Sequence, residues 1–325
     1  MRFDDQRESD NIEDQRGSGG GGGGFGFGGG GGGGGGMLPG LIGMLLGGRS
    51  LGCGGILVIG ALLLFASGGL GGLGGLLGGG GGGALEAPVD QSQIGFPGAE
   101  TQPAADAASA TPKTESELDR FTRKALGSTE DVWTKLFPEQ AGRAYPAPTL
   151  VLFSGRGRSA CGQADSAMGP FYCPADRKLY LDQQFFGELN QRFGAPGDAA
   201  AVYVIAHEVG HHIQTVLGIS EQVQQAQSRG SQRQNNALQV RMELQADCLA
   251  GVYAKASGQL EAGDIEEAVT AAQAIGDDTL QRQSRGTVVP DSFTHGSSAQ
   301  RVEWLKRGLA GGTIEGCDTF ANGAV

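Results

Sequence analysis

The sequence predicts a mostly helical α+β domain with a small β-sheet, preceded by a Gly-rich tether and one transmembrane helix. Three observations predict it. Long helical stretches dominate the chain after residue 114, and only two short apolar runs there read as strands. Most of the 62 glycines fall before residue 84, where little apolar surface is available to bury. One charge-free apolar run, 51–77, sits between these regions. The expected organisation is a disordered Gly-rich N-terminal segment (1–50), a membrane span (51–77), a flexible linker (78–113) and a folded domain (114–325).

Gly17 to Gly36 is nearly pure glycine, broken by Ser18, Phe25 and Phe27. Ordering such a run costs much entropy and buries nothing, so it reads as a tether. A bilayer span needs ~20 apolar residues. Leu51 to Leu77 is long enough, with its strongest part at Ile56–Phe65; the shorter Leu38–Leu46 reads as interfacial. The run starts too late for a signal peptide, and its glycines make it a poor helix in water. Arg2, Arg7, Arg16 and Arg49 precede it, and the first basic residue after it is Lys113. The positive-inside rule then expects the N-terminus in the cytoplasm and the domain outside. Glu86 to Pro112, rich in Ala, Pro, Gly, Ser and Thr, reads as linker.

The folded part opens with a helix from Glu115 to Phe137, led by Glu115, Glu117 and Asp119. Thr149–Phe153 and Lys178–Asp182 read as strands, and the strand around Tyr180 is the candidate edge for an extended peptide. A helix over Gln183–Phe193 leads to an apolar helix with Asp198 as N-cap and Gly218 as its stop. Further helices are expected at Ser231–Ala256, Asp264–Ile275 and Gln300–Leu309, the last opened by a capping box at Ser297–Gln300.

The net charge of −11, with no basic patch, argues against a nucleic-acid partner. Of five cysteines, Cys53 lies in the apolar run; Cys161, Cys173, Cys248 and Cys317 lie in the domain. An even count fits two disulfides in an oxidising compartment. Three pairings are possible. The favoured one joins Cys161 to Cys173 across a loop with Gly162, Gly169 and Pro170, and Cys248 to Cys317 across a near-terminal segment.

The chemistry concentrates in His207-Glu208-Val209-Gly210-His211. The chain has four His, and three fall within Ala206–Ile213. On a helix, i and i+4 share a face, so His207 and His211 can aim at one metal ion while Glu208 serves as general base. A chance match to so short a motif is the bland alternative. Burying two His and a Glu in an apolar helix without a partner is costly, however, and a metal removes that cost. A third His at the metzincin spacing is excluded, because Gln214 and Leu217 occupy the relevant positions. Glu243 is the candidate third ligand. Asp247, one turn on, can orient a ligand His through its free ring nitrogen. The alternative is a solvated acidic face, against which Ala246, Leu249, Ala250 and Val252 argue. His295 either donates to an oxyanion or organises its loop; Arg301 either pairs with an acid near the site or lies on the surface; His212 reads as packed.

The segments Ile205–His212 and Glu243–Cys248 resemble the bacterial putative neutral zinc metallopeptidase family. So do Met168–Asp176, Pro290–Gly296 and Arg7–Asp14. The resemblance covers the domain from about Thr114 and the extreme N-terminus. It implies a zincin-like fold with a gluzincin-like site: one zinc per chain on His207, His211 and Glu243, and peptide or protein substrates. The apolar run and the charge asymmetry add the expectation of a single-pass bacterial inner-membrane protein with a cytoplasmic N-terminus and a periplasmic or extracellular domain. The rival class is a zinc-containing scaffold or binding module of the cell envelope that turns nothing over; the intact Glu208 favours the enzyme. The sequence does not indicate an oligomeric state.

Overall fold

The computed structural model describes residues 1–3, 5–17 and 115–321. The expected span at 51–77, most of the tether and the linker lie outside the described residues. Among those described, no helix is long and apolar enough to cross a membrane.

The chain order is β1 (Ile12–Asp14), α1 (Glu115–Ala141), β2 (Thr149–Leu152), β3 (Arg156–Ser159), β4 (Gly162–Asp165), β5 (Phe171–Cys173) and β6 (Lys178–Leu181). Then follow α2 (Gln184–Gln191), α3 (Asp198–Leu217), α4 (Ile219–Gln227), α5 (Gln232–Ser257), α6 (Asp264–Ala274), α7 (Asp277–Arg285) and α8 (Ser298–Gly311). The mostly helical α+β architecture with a small sheet is therefore observed. Strands β3 and β4 form a separate hairpin; the main sheet has the order β1-β2-β6-β5. Its first three strands run parallel, and β5 is antiparallel to β6.

Helix α3 is buried at every residue from Ala199 to Gln214, as an all-round apolar helix must be. It packs between the sheet on one side and α5 and α6 on the other. Its first-turn N–H of Ala199 donates to Glu267 Oε2 at 3.1 Å. The expected N-cap, Asp198, is instead the first helical residue, and Gly197 holds the cap position. Helices α5 and α8 touch backbone to backbone. A Cβ on Gly308 would lie 1.9 Å from the carbonyl oxygen of Cys248, so only glycine fits there. Disulfides Cys161–Cys173 and Cys248–Cys317 form as favoured. The capping box at Ser297 and Gln300 is present, and a second one, Ser231 with Gln234, opens α5.

Three expectations need correction. Tyr180 does not sit on an edge: β6 is flanked by β2 and β5, and the sheet ends at β1 and β5. The short elements β1, β3, β4, β5, α4 and α7 had no sequence assignment. All six span three to nine residues and carry too few apolar positions for a period to register.

The third correction concerns residues 1–17, which belong to the N-terminal segment expected to be disordered. Strand β1 pairs in parallel with β2, Ile12 opposite Leu150 and Asp14 opposite Leu152. Phe3 joins the core. Glu130 Oε1 accepts from Ser9 Oγ and Asn11 Nδ2 at 2.7 Å each, and Glu130 Oε2 accepts from Arg7 at 2.7 Å. Arg16 spans Asp14 and Asp119, and Glu13 pairs with Lys178. A single membrane crossing between residues 17 and 115 would put β1 and β2 on opposite faces.

Candidate metal centre

Helices α3 and α5 bring His207, His211 and Glu243 together, all buried, with one ligand atom from each within 4.8 Å of the others. Glu243 Oε2 lies 3.1 Å from His207 Nε2, and Oε1 lies 3.6 Å from His211 Nε2. Tetrahedral zinc, with bonds of about 2.0–2.2 Å, needs ligand atoms about 3.3–3.5 Å apart. The close approach of the helices is set at Gly210, where a Cβ would come 3.0 Å from the backbone of Ala246. Each imidazole is held from behind. His207 Nδ1 donates to Asp247 Oδ1 at 2.8 Å, and His211 Nδ1 donates to Gln214 Oε1 at 2.8 Å. These acceptors fix the tautomers that leave both Nε2 lone pairs facing Glu243. Glu208 Oε2 is buried without a hydrogen-bond partner. An orphaned carboxylate oxygen beside two imidazoles and a carboxylate is a donor set that fits zinc and a water.

The sequence profile of the family described as putative neutral zinc metallopeptidase matches residues 1–320. The chain belongs to that family. YpfJ of Escherichia coli K12 is 53% identical over 209 residues, which cover 63% of this chain and 72% of that protein. Rv2575 of Mycobacterium tuberculosis is 40% identical over 227 residues, 64% of this chain and 74% of that protein. Both are described only as uncharacterized proteins. No solved structure matches the chain significantly.

In this family member the charges around the donor set are balanced from outside it. Arg301, 1% exposed, donates from Nε to Asp247 Oδ2 and from Nη2 to Asp247 Oδ1, both at 2.8 Å. Tyr203 OH donates to Asp247 Oδ1 at 2.6 Å. Of the two sequence readings for Arg301, the pairing is the one observed. Burial opposes the ionised Asp247, but Arg301 and His207 outweigh it and hold the carboxyl down to about 2. Burial likewise opposes the ionised Glu243, and the two imidazoles prevail, holding it well below its ordinary value. The imidazoles respond in kind. Burial disfavours His207 as a cation, yet Asp247 and Glu243 raise it to about 9. A proton and a metal cation therefore compete for the same lone pairs. Glu208 moves the other way: burial raises its carboxyl above the ordinary range.

His212 is packed, as expected. Its Nε2 donates to Pro146 O at 2.5 Å, its Nδ1 accepts from Tyr172 OH at 3.1 Å, and burial lowers it to about 4. His295 is buried, and Asp277 organises its loop. Asp277 Oδ1 accepts from His295 Nδ1 at 3.0 Å, and Oδ2 accepts the backbone N–H groups of Thr294 and His295 at 2.7 Å each. His295 also contributes to the depression of Glu243, which places it within electrostatic reach of the centre.

Sequence reasoning missed Tyr203, Gln214, Gln239, Gln245 and Asp277. Helical spacing offered a signal for three. Tyr203 is one turn before His207, Gln214 is three residues after His211, and Gln239, donating to Glu243 Oε1 at 3.0 Å, is one turn before Glu243. Gln214 is held in turn by Met242 O at 2.7 Å and Gln245 Oε1 at 3.1 Å, and Gln245 donates to Cys317 O at 3.2 Å. That chain runs from His211, a candidate ligand, to the disulfide-stapled tail through contacts far apart in sequence.

Proposed function

We propose that this chain is a zinc-dependent peptidase, with one zinc held by His207, His211 and Glu243. The single observation carrying the reading is the orphaned Glu208 Oε2 beside a buried His/His/Glu donor set whose ligand atoms lie within 4.8 Å of one another. A zinc ion there supplies Lewis acidity, lowering a water's pKa to about 7 and polarising the scissile carbonyl. The chain's own residues do the rest. Glu208, whose burial keeps it a stronger base than an exposed carboxylate, takes the proton from the attacking water and delivers it to the leaving amine. Asp247 and Gln214 fix the orientation of the imidazoles. Arg301 and Tyr203 keep Asp247 ionised and in place. His295, in this proposal, faces the oxyanion with Asp277 behind it.

Two disulfides favour an oxidising compartment, periplasmic or extracellular. Membrane attachment through residues 51–77 remains part of the proposal, with residues 1–17 and the domain on the same face. The test is metal analysis of the full chain together with a peptide-library digest. Near one zinc per chain is expected. Glu208→Gln should keep the zinc and lower turnover by about 10²–10⁴, whereas Glu243→Gln should lose the zinc. Zinc lost in the first variant and kept in the second would reverse the two roles. Stoichiometric zinc without cleavage of any peptide would favour the scaffold reading.

A further inference from the structure

Gln239 is the first buried residue of α5, 5% exposed, and lies one helical turn before Glu243. At that spacing the two side chains share a face of the helix. Gln239 Nε2 donates to Glu243 Oε1 at 3.0 Å. The two oxygens of Glu243 are otherwise near equivalents. Oε2 lies 3.1 Å from His207 Nε2, and Oε1 lies 3.6 Å from His211 Nε2. Both separations are close to the ligand spacing of tetrahedral zinc, so distance alone admits either oxygen, or both. Hydrogen bonding separates them. Each imidazole donates from Nδ1, His207 to Asp247 and His211 to Gln214, so neither Nε2 has a proton to give. Oε2 therefore meets a lone pair at 3.1 Å, a contact that a cation between the two relieves. Oε1 meets an amide N–H and is already satisfied.

We infer that Gln239 is a positioning residue that makes Glu243 a one-oxygen ligand, through Oε2. The inference rests on the zinc reading above and is independent of peptide cleavage. Holding Oε1 back confines the protein's share of the coordination to one oxygen and two imidazole nitrogens. A tetrahedral metal then keeps its fourth position open, which distinguishes a hydrolytic site from a closed structural one. A carboxylate free to turn can bind with both oxygens and take up that position. The side-chain type suits the task. A Lys or Arg at 239 would hold Oε1 as well, but its charge would oppose a cation bound at Oε2. The neutral amide donates one hydrogen bond and leaves the full charge of Glu243 to the metal.

X-ray absorption of the zinc-loaded full chain and the visible spectrum of its cobalt-substituted form test this. The native chain should show a four-coordinate metal with a single carboxylate oxygen. Gln239→Met keeps the length of the side chain and removes the donor. It should bring the second carboxylate oxygen onto the metal, weaken the intense visible bands of four-coordinate cobalt, and lower zinc affinity by about 10–100-fold. Gln239→Asn keeps the amide but is one methylene too short to reach Oε1, so it should behave as Gln239→Met does. A side chain that only packs the helix would leave the cobalt spectrum unchanged in both variants. Two carboxylate oxygens on zinc in the native chain overturn the inference and leave the zinc reading standing, and this result needs no variant to fold. A four-coordinate metal at undiminished affinity in Gln239→Met overturns it equally. A native chain that takes up neither zinc nor cobalt removes the inference together with the zinc reading.

Discussion

Asp247 is the residue on which the centre's order depends. It is fully buried and serves His207, Tyr203 and Arg301 at once. Removing it alone leaves a buried guanidinium unpaired, which costs about 3–5 kcal/mol. Asp247→Ala should therefore lower stability by that amount in chemical denaturation and weaken zinc by about 10–100-fold. The double variant Asp247→Leu with Arg301→Met should recover most of the stability but none of the zinc affinity. Recovery of both would show that Asp247 does not orient His207. Asp277 makes a pH prediction. Burial opposes its ionisation, but its bonds to His295 and the loop amides hold it below the ordinary carboxylate value. A depressed carboxyl stabilises fully above its unfolded value of about 3.9 and loses that contribution as pH falls through the lower folded value. Amide exchange around Thr294–Gly296 should therefore stay slow down to about pH 4 and rise below it, and Asp277→Asn should make it fast at neutral pH. Fast exchange already at pH 5 in the native protein would contradict the assignment.

At the scale of elements, β1 and the Cys248–Cys317 staple hold the ends of the domain. The N–H of Leu150 on β2 donates to Asn11 O at 2.9 Å. Deleting residues 1–17 should expose that amide to exchange and leave β2 as an open edge prone to self-association. A Leu150 amide still protected after the deletion would show that β1 does not pair there. Glu130→Ala should cost about 1–3 kcal/mol, because Ser9 and Asn11 lose their acceptor. The Cys248–Cys317 bridge closes a 69-residue separation. Replacing both cysteines with serine should cost about 4 kcal/mol by loop entropy. It should also loosen the Gln245–Gln214–His211 chain, read as a modest loss of zinc affinity.

For the whole molecule, we propose from the β1–β2 ladder that residues 1–17 and the domain share a compartment. Asp10→Cys and Glu139→Cys, both exposed positions, should react alike with a membrane-impermeant maleimide in intact cells. Labelling of one but not the other would restore the single-crossing topology and remove the ladder.

The sequence by itself pointed to the His207–His211 motif, to Glu243 as a third member of the cluster and Asp247 beside His207, to the long helices, and to the disulfide pairing it favoured among three. These rest on local rules: the i, i+4 face of a helix, burial of apolar runs, and the parity and spacing of cysteines. Only the tertiary structure decided that Arg301 faces Asp247, that Gln214 and Gln245 tie His211 to the terminal staple, that β6 is interior, and that the N-terminal arm completes the sheet. A three-residue strand with one apolar side chain has no period to read. Its stability comes from hydrogen bonds and ion pairs to residues more than a hundred positions away, and such partners become visible only when the chain is folded.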